Sequence, residues 1–241
     1  RLIQGDVGSG KTIVAFLCML FPVESGAQVA FMAPTEVLAE QHFKSVLGLA
    51  KKLNLSVELL TGSTKPKERD ILLNNLLIGK TNILIGTHAL IEERVRFKKL
   101  GLVVIDEQHK FGVAQRAKLW SKKEEYYPHV LVMTATPIPR TLALTLYGDL
   151  DVSVIDELPK GRKEIITSHR NDNSRLKVLN FIKQTVESGS QVYIVYPLIE
   201  ESAKKDHKDL MDGYESLTIY FADTQIGVLH GRMKAENKDY E

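Results

Sequence analysis

Gly5-Asp6-Val7-Gly8-Ser9-Gly10-Lys11-Thr12 satisfies G-x-x-x-x-G-K-[ST], the pattern of a loop whose backbone N–H groups wrap the phosphates of a nucleoside triphosphate. Gly5, Gly8 and Gly10 allow positive φ and close backbone approach, and the helix that follows offers its N-terminal dipole to the phosphates. Lys11 is placed to reach the β- and γ-phosphates, and Thr12 to set its hydroxyl on the Mg2+ that bridges the same oxygens. The alternative is a flexible glycine-rich turn. At ordinary residue frequencies a chance match in a chain of this length is on the order of one in a hundred, so the whole octet, Asp6, Val7 and Ser9 included, reads as a nucleotide-binding loop.

The flanking sequence agrees. Arg1 to Gln4 has the character of a strand end, and Thr12 to Phe21 (T-I-V-A-F-L-C-M-L-F) is apolar nearly all round, which predicts a buried helix. Further short apolar runs stand at Gln28 to Ala33, Val57 to Leu60, Ile83 to Ile85, Leu102 to Ile105, Val130 to Met133 and Val152 to Ile155. Most are separated by helical stretches, best seen at Glu36 to Leu53, Pro66 to Leu77 and Val113 to Lys123. That alternation predicts an α/β fold, a parallel sheet covered on both faces. Trp120 falls on the last of these helices and is assigned to packing.

Length and composition bound the reading. The 241 residues suffice for one large domain or two modest ones, and a 44% hydrophobic fraction is ample for a core. A formal net charge of +2 is too small to argue for nucleic acid by itself. The single cysteine, Cys18, excludes an internal disulfide framework and reads as a core thiol. No run is long and apolar enough for a membrane span and no signal-peptide pattern opens the chain, so a cytoplasmic location without membrane contact is expected. The chain starts at Arg1 and stops in what looks like the opening of a charged helix, which leads us to expect a fragment.

Pro and Gly among charges at Leu158 to Lys163 (L-P-K-G-R-K) mark a boundary. Beyond it a second α/β unit is expected, with strands at Glu164 to Thr167, Val192 to Val195 and Ile226 to Leu229. The intervening Ser174 to Glu187 carries Leu176, Leu179, Ile182 and Val186 at helical spacing. Asp206 to Tyr220 is polar and ambiguous. Tyr193 and Tyr196 are read as core rather than base-stacking residues.

A second catalytic element lies in L-V-V-I-D-E-Q-H (Leu102 to His109). A buried parallel strand ending in two acids puts both carboxylates at the carboxyl edge of the sheet, where open α/β folds bind ligands. Asp106 is the candidate Mg2+ ligand. Glu107 is the candidate for orienting and deprotonating the attacking water, work that needs a carboxylate beside the metal but not on it. A strand merely exiting into solvent would look the same if this motif stood alone; the phosphate loop upstream decides against that.

Together Gly5 to Thr12, P-T-E-V-L-A-E-Q (Pro34 to Gln41), T-G (Thr61, Gly62), G-T-H-A-L (Gly86 to Leu90), D-E-Q-H (Asp106 to His109) and T-A-T-P (Thr134 to Pro137) resemble the ordered motifs of superfamily 2 helicases. The resemblance spans the whole chain and implies a RecA-like first domain over residues 1–158 and the start of a second, truncated RecA-like domain over 159–241. ATP with Mg2+ would bind the first. It further implies that Lys11, Thr12, Asp106 and Glu107 run ATP hydrolysis, that His109, Thr134, Ala135 and Thr136 couple it to domain movement, and that Pro34, Thr35, Gly62, Gly86, Thr87 and His88 line a DNA path. Each of the last set has a plainer reading too: Thr35 as a helix N-cap, Gly86 as the turn after a strand.

Within the superfamily, D-E-Q-H-K-F-G-V (Asp106 to Val113), T-A-T-P-I-P-R-T-L-A (Thr134 to Ala143) and the stretch from Tyr147 to Lys163 are similar to the bacterial motors that remodel stalled replication forks and Holliday junctions. That implies branched DNA as partner, a monomer, and a cytoplasmic, nucleoid-associated place in a bacterium. The transcription-repair coupling translocases are the nearest alternative. As a fragment without the arginine fingers such motors carry in later motifs, the chain is expected to hydrolyse ATP slowly, or to act as a nucleotide- or DNA-binding module with little catalysis.

Overall fold

The computed structural model describes residues 1–107, 127–136, 150–159, 161–196 and 210–231, together with residues 233, 237 and 240. They fall into two compact units, Arg1–Lys163 and Glu164–Glu241.

The first unit is built on seven strands: β1 (Leu2–Gly5), β2 (Gln28–Met32), β3 (Val57–Leu60), β4 (Ile83–Gly86), β5 (Leu100–Asp106), β6 (His129–Thr134) and β7 (Val152–Ile155). They form one sheet in the order β3-β4-β2-β5-β6-β1-β7, and every pairing is parallel. Helices α1 (Lys11–Glu24), α2 (Glu36–Ala50) and α3 (Pro66–Ile78) supply crossovers. The strands are near-continuous apolar runs because the sheet is covered on both sides. Side chains alternate across it. Val29, Phe31, Ile83, Ile85, Leu102 and Val104 pack with Phe16 and Met19 of α1 and Val46 and Ala50 of α2. Ala30, Met32, Leu84, Val103 and Ile105 pack with Leu72 and Leu76 of α3 on the opposite face.

α1 departs from expectation. Ala15, Phe16 and Met19 are buried, but Ile13, Leu17 and Phe21 are exposed, Phe21 to 73%. An all-round apolar composition does not tell which of its faces the sheet will cover. Cys18 is half-buried against the core. α2 is capped by Thr35, whose hydroxyl accepts from Leu38 N at 3.3 Å, so the plain N-cap reading of Thr35 holds. The expected helix at 113–123, Trp120 and His109 lie outside the described residues.

The second unit contains α4 (Arg175–Glu187) and α5 (Leu210–Tyr220). Tyr220 Oη donates to Asn180 Oδ1 at 2.7 Å, tying one to the other. The strands expected at 164–167, 192–195 and 226–229 are not formed among the described residues. An apolar run becomes a strand only when another strand satisfies its backbone groups. Tyr193, expected in the core, is 85% exposed; Tyr196 is half-buried and its ring lies against Gly213 of α5. No described helix is long and apolar enough to cross a membrane.

Candidate nucleotide site and nucleic-acid edge

Register aligns the carboxyl ends of four neighbouring strands. Asp106 of β5 stands beside Met133 of β6, Thr134 of β6 beside Gln4 of β1, and Gly5 of β1 beside Ile155 of β7. The candidate phosphate loop, the carboxylate pair and the Thr134-Ala135-Thr136 segment thereby share one stretch of sheet edge.

The loop leaves β1 and turns into α1 through Gly8 (φ 81) and Gly10 (φ 92), a left-handed backbone that L side chains rarely adopt. No side chain caps α1 and its first turn holds no acid, so its N-terminal N–H groups face no competing anion of their own helix. Lys11 Nζ donates to the carbonyls of Gly5 at 2.8 Å and Asp6 at 2.9 Å. Two of its three donors fix the ammonium over the loop, and the third is available for an anion. Ser9 Oγ is buried with no partner among the described residues. A phosphate oxygen would satisfy it.

The loop is also held from the far end of the unit. Arg162, in the segment after β7, donates to Asp6 Oδ2 at 2.5 Å and to the Val7 carbonyl at 3.2 Å, while Asp6 Oδ1 accepts from Val7 N at 2.7 Å. Sequence reading saw this segment as a boundary and missed the contact, which joins residues 156 positions apart.

Glu107 adopts φ 49, a region costly for a residue with a Cβ unless its surroundings hold it. They do. Its N–H donates to the Met133 carbonyl at 3.0 Å, Ala135 N donates to its Oε1 at 3.1 Å, and Thr134 Oγ1 lies 3.4 Å from its Oε2. Thr134 Oγ1 is in turn 2.9 Å from Thr136 Oγ1 and accepts from Thr136 N at 3.2 Å. Asp106 is buried, and its Oδ2 pairs with His42 Nε2 of α2 at 2.8 Å. His42 stands one residue past the Pro34 to Gln41 motif, and a lone histidine on a helix face gave no signal in the sequence.

Thr12, half-buried in the first turn of α1, and Asp106 offer a hydroxyl and a carboxylate, the hard oxygen donors that suit Mg2+. No cluster of three or more His, Cys, Asp or Glu side chains able to hold a metal occurs among the described residues. The pair therefore fits an ion that keeps most of its waters and takes its other ligands from phosphate, not a dedicated protein cage.

The other half of the same edge, at β3, β4 and β2, collects the remaining candidates. Pro34 and Thr35 follow β2, Gly62 follows β3, Gly86 ends β4, and Thr87 and His88 follow it. Ala33 N donates to Gly86 O at 2.8 Å, Thr87 N to Leu60 O at 3.3 Å, and Ser63 N to Glu36 Oε1 at 3.1 Å, so the three loops brace one another. Gly86 has no room for a side chain, because a Cβ there would fall on the Leu60 carbonyl. Thr87 Oγ1 is buried with no partner among the described residues, while His88, Thr35 and Gly62 are exposed. Beside them a cavity of about 500 Å³ is lined by Gly62, Ser63, Thr64, Lys65, Arg69 and Arg94, among others.

A phosphate loop, a strand-end carboxylate pair and a buttressed threonine segment on one parallel sheet edge define a RecA-like P-loop NTPase fold. The chain belongs to the DEAD/DEAH box helicase family, which matches residues 1–145. It is 50% identical over 238 residues to the ATP-dependent DNA helicase RecG of Aquifex aeolicus, covering 99% of this chain and 30% of that protein. It is 54% identical over 240 residues to RecG of a Synechocystis species, covering 99% of this chain and 29% of that one. A solved structure of RecG bound to a three-way DNA junction matches with a TM-score of 0.75 at 43% identity, covering 100% of this chain and 31% of that chain. The DUF1998 helicase MrfA matches 92% of this chain and 36% of its own at 18% identity and a TM-score of 0.66, a likeness of fold alone. The chain spans about a third of the length of these curated relatives.

Proposed function

We propose that this chain is the motor segment of an ATP-dependent DNA helicase or translocase that remodels branched DNA, stalled replication forks and Holliday junctions, in recombination and repair. Residues 1–158 would be its first RecA-like domain, and 159–241 would begin the second. RecG relatives at about half identity support the substrate class, and favour it over the transcription-coupled alternative. A monomer working in the bacterial cytoplasm, at the nucleoid, fits this reading.

Gly5 to Thr12 hold the triphosphate through backbone N–H groups, with the Lys11 ammonium on the β- and γ-phosphates. Thr12 and Asp106 would hold Mg2+, which would supply positive charge to offset that of the phosphates. Glu107 takes a proton from the attacking water as that water bonds to the γ-phosphorus and the bond from that phosphorus to the β,γ-bridging oxygen breaks, ADP leaving with the bonding electrons. Pro34, Thr35, Gly62, Gly86, Thr87 and His88 contact the DNA backbone, where hydroxyls and backbone N–H groups are common phosphate ligands. His109 would join Thr134, Ala135 and Thr136 in coupling hydrolysis to domain movement.

The observation that carries this reading is the anchorage of Glu107. Its carboxylate is hydrogen-bonded by Ala135 N and Thr134 Oγ1 at the end of the neighbouring strand, so the candidate base and the candidate coupling segment are directly joined. Glu107→Gln keeps the shape but cannot accept a proton. In a protein carrying this segment with a complete second domain, it is expected to retain ATP and forked-DNA binding and to lose about a hundred- to ten-thousandfold in steady-state turnover. Near-normal turnover would assign water activation to another residue.

A further inference from the structure

We propose that His42 is a positioning residue for the Asp106 carboxylate, a role that rests on the reading of Asp106 as a metal ligand. Both side chains are only 11% exposed, and they meet at 2.8 Å through Nε2 and Oδ2. A carboxylate that ligates a cation can only accept, so in that role Nε2 would carry the hydrogen and donate it. The bond uses Oδ2, and Oδ1 would be the oxygen that takes the ion or its water.

The imidazole is itself fixed. His42 lies on the buried stripe of α2 with Ala39, Val46 and Ala50, and its ring packs on Phe31 of β2 with centroids 4.6 Å apart at 36°. Phe31 is fully buried and pairs in register with Val104, two residues before Asp106. Helix, ring and two adjacent strands therefore set where the carboxylate points. The same helix opens at Thr35 and Glu36, and Glu36 receives the Ser63 N–H from the loop after β3. His42 lies six residues beyond Glu36 on α2, about 9 Å of rise, so one helix carries both the brace to the loop after β3 and the imidazole that meets the carboxylate.

Partners that orient a metal ligand typically change metal affinity about ten- to a hundredfold when removed. His42→Phe keeps a ring on Phe31 without the donor, whereas His42→Gln places an amide N–H near the position of Nε2 without the ring. The test is the Mg2+ concentration needed for half-maximal binding of a fluorescent ATP analogue, beside its binding in EDTA. His42→Phe is expected to raise the Mg2+ requirement at least tenfold with binding in EDTA unchanged, and His42→Gln to stay within about threefold of wild type. An unshifted requirement in a folded His42→Phe, or a His42→Gln shifted tenfold or more, overturns the proposal; should the Phe variant fail to fold, the Gln variant alone decides. Wild type without any Mg2+ dependence would instead sink the underlying reading of Asp106, and the role of His42 with it.

Discussion

Leu102-Val103-Val104-Ile105 and Val192-Tyr193-Ile194-Val195 are nearly interchangeable as sequence, yet the first lies at the centre of a sheet and the second forms no strand. β5 pairs with β2 on one side and β6 on the other, and its apolar side chains are buried alternately on two faces. In the second unit Tyr193 and Val195 are exposed. A strand is a property of its neighbours more than of its residues, since each unpaired backbone group forfeits a hydrogen bond and each face needs a cover.

The contrast can be broken by mutation. The largest stability effect is expected from Phe31→Ala, which removes a fully buried ring from the first unit and should cost about 3–5 kcal/mol, whereas Phe181→Ala on α4, 67% exposed, should change stability by less than about 0.5 kcal/mol. Chemical denaturation followed by circular dichroism distinguishes them, and comparable losses would mean that the second unit has a core of its own. Lys11→Ala should weaken Mg2+·ATP binding by about ten- to a hundredfold, the worth of one hydrogen bond to a charged group; calorimetric titration reads this, and equal affinities would count against the phosphate loop. Thr35→Ala should cost about 1 kcal/mol through the lost cap. Thr35→Ser restores the cap, so forked-DNA affinity that stays low in the serine variant would mean the threonine methyl matters to the DNA path. Val195→Thr should be the quietest, within about 0.5 kcal/mol, and a larger loss would show that 192–195 is packed after all.

Much of the first unit was legible because buried parallel strands read as uninterrupted apolar runs. β3 and β7 fall where the sequence put them, and the other strands differ by two residues or fewer at either end. Strand order was not legible, because nothing local in Leu2 to Gly5 says that its partners lie beyond residue 128. The phosphate loop and the Asp106-Glu107 pair stood out because their chemistry dictates residue types at fixed spacing. His42 and Arg162 did not, since each acts through one contact made across the fold. Where hydrophobicity served as a proxy for burial, at α1 and at 192–195, it failed for one reason: composition says what a segment tolerates, while topology decides what covers it.

The position of β1 also constrains the order in which the molecule can be made. Leu2 pairs with Val132 and with Val152, so the strand that launches the phosphate loop is synthesised before both of its partners and has neither until β6 and β7 emerge. At about 5–20 residues per second, that wait is on the order of ten seconds, during which an apolar strand and a glycine-rich loop remain exposed. Stalled nascent chains ending before His129 should leave Leu2 to Thr12 open to protease, and chains extended well past Ile155 should protect them; early protection would mean that β1 first pairs elsewhere and must be released.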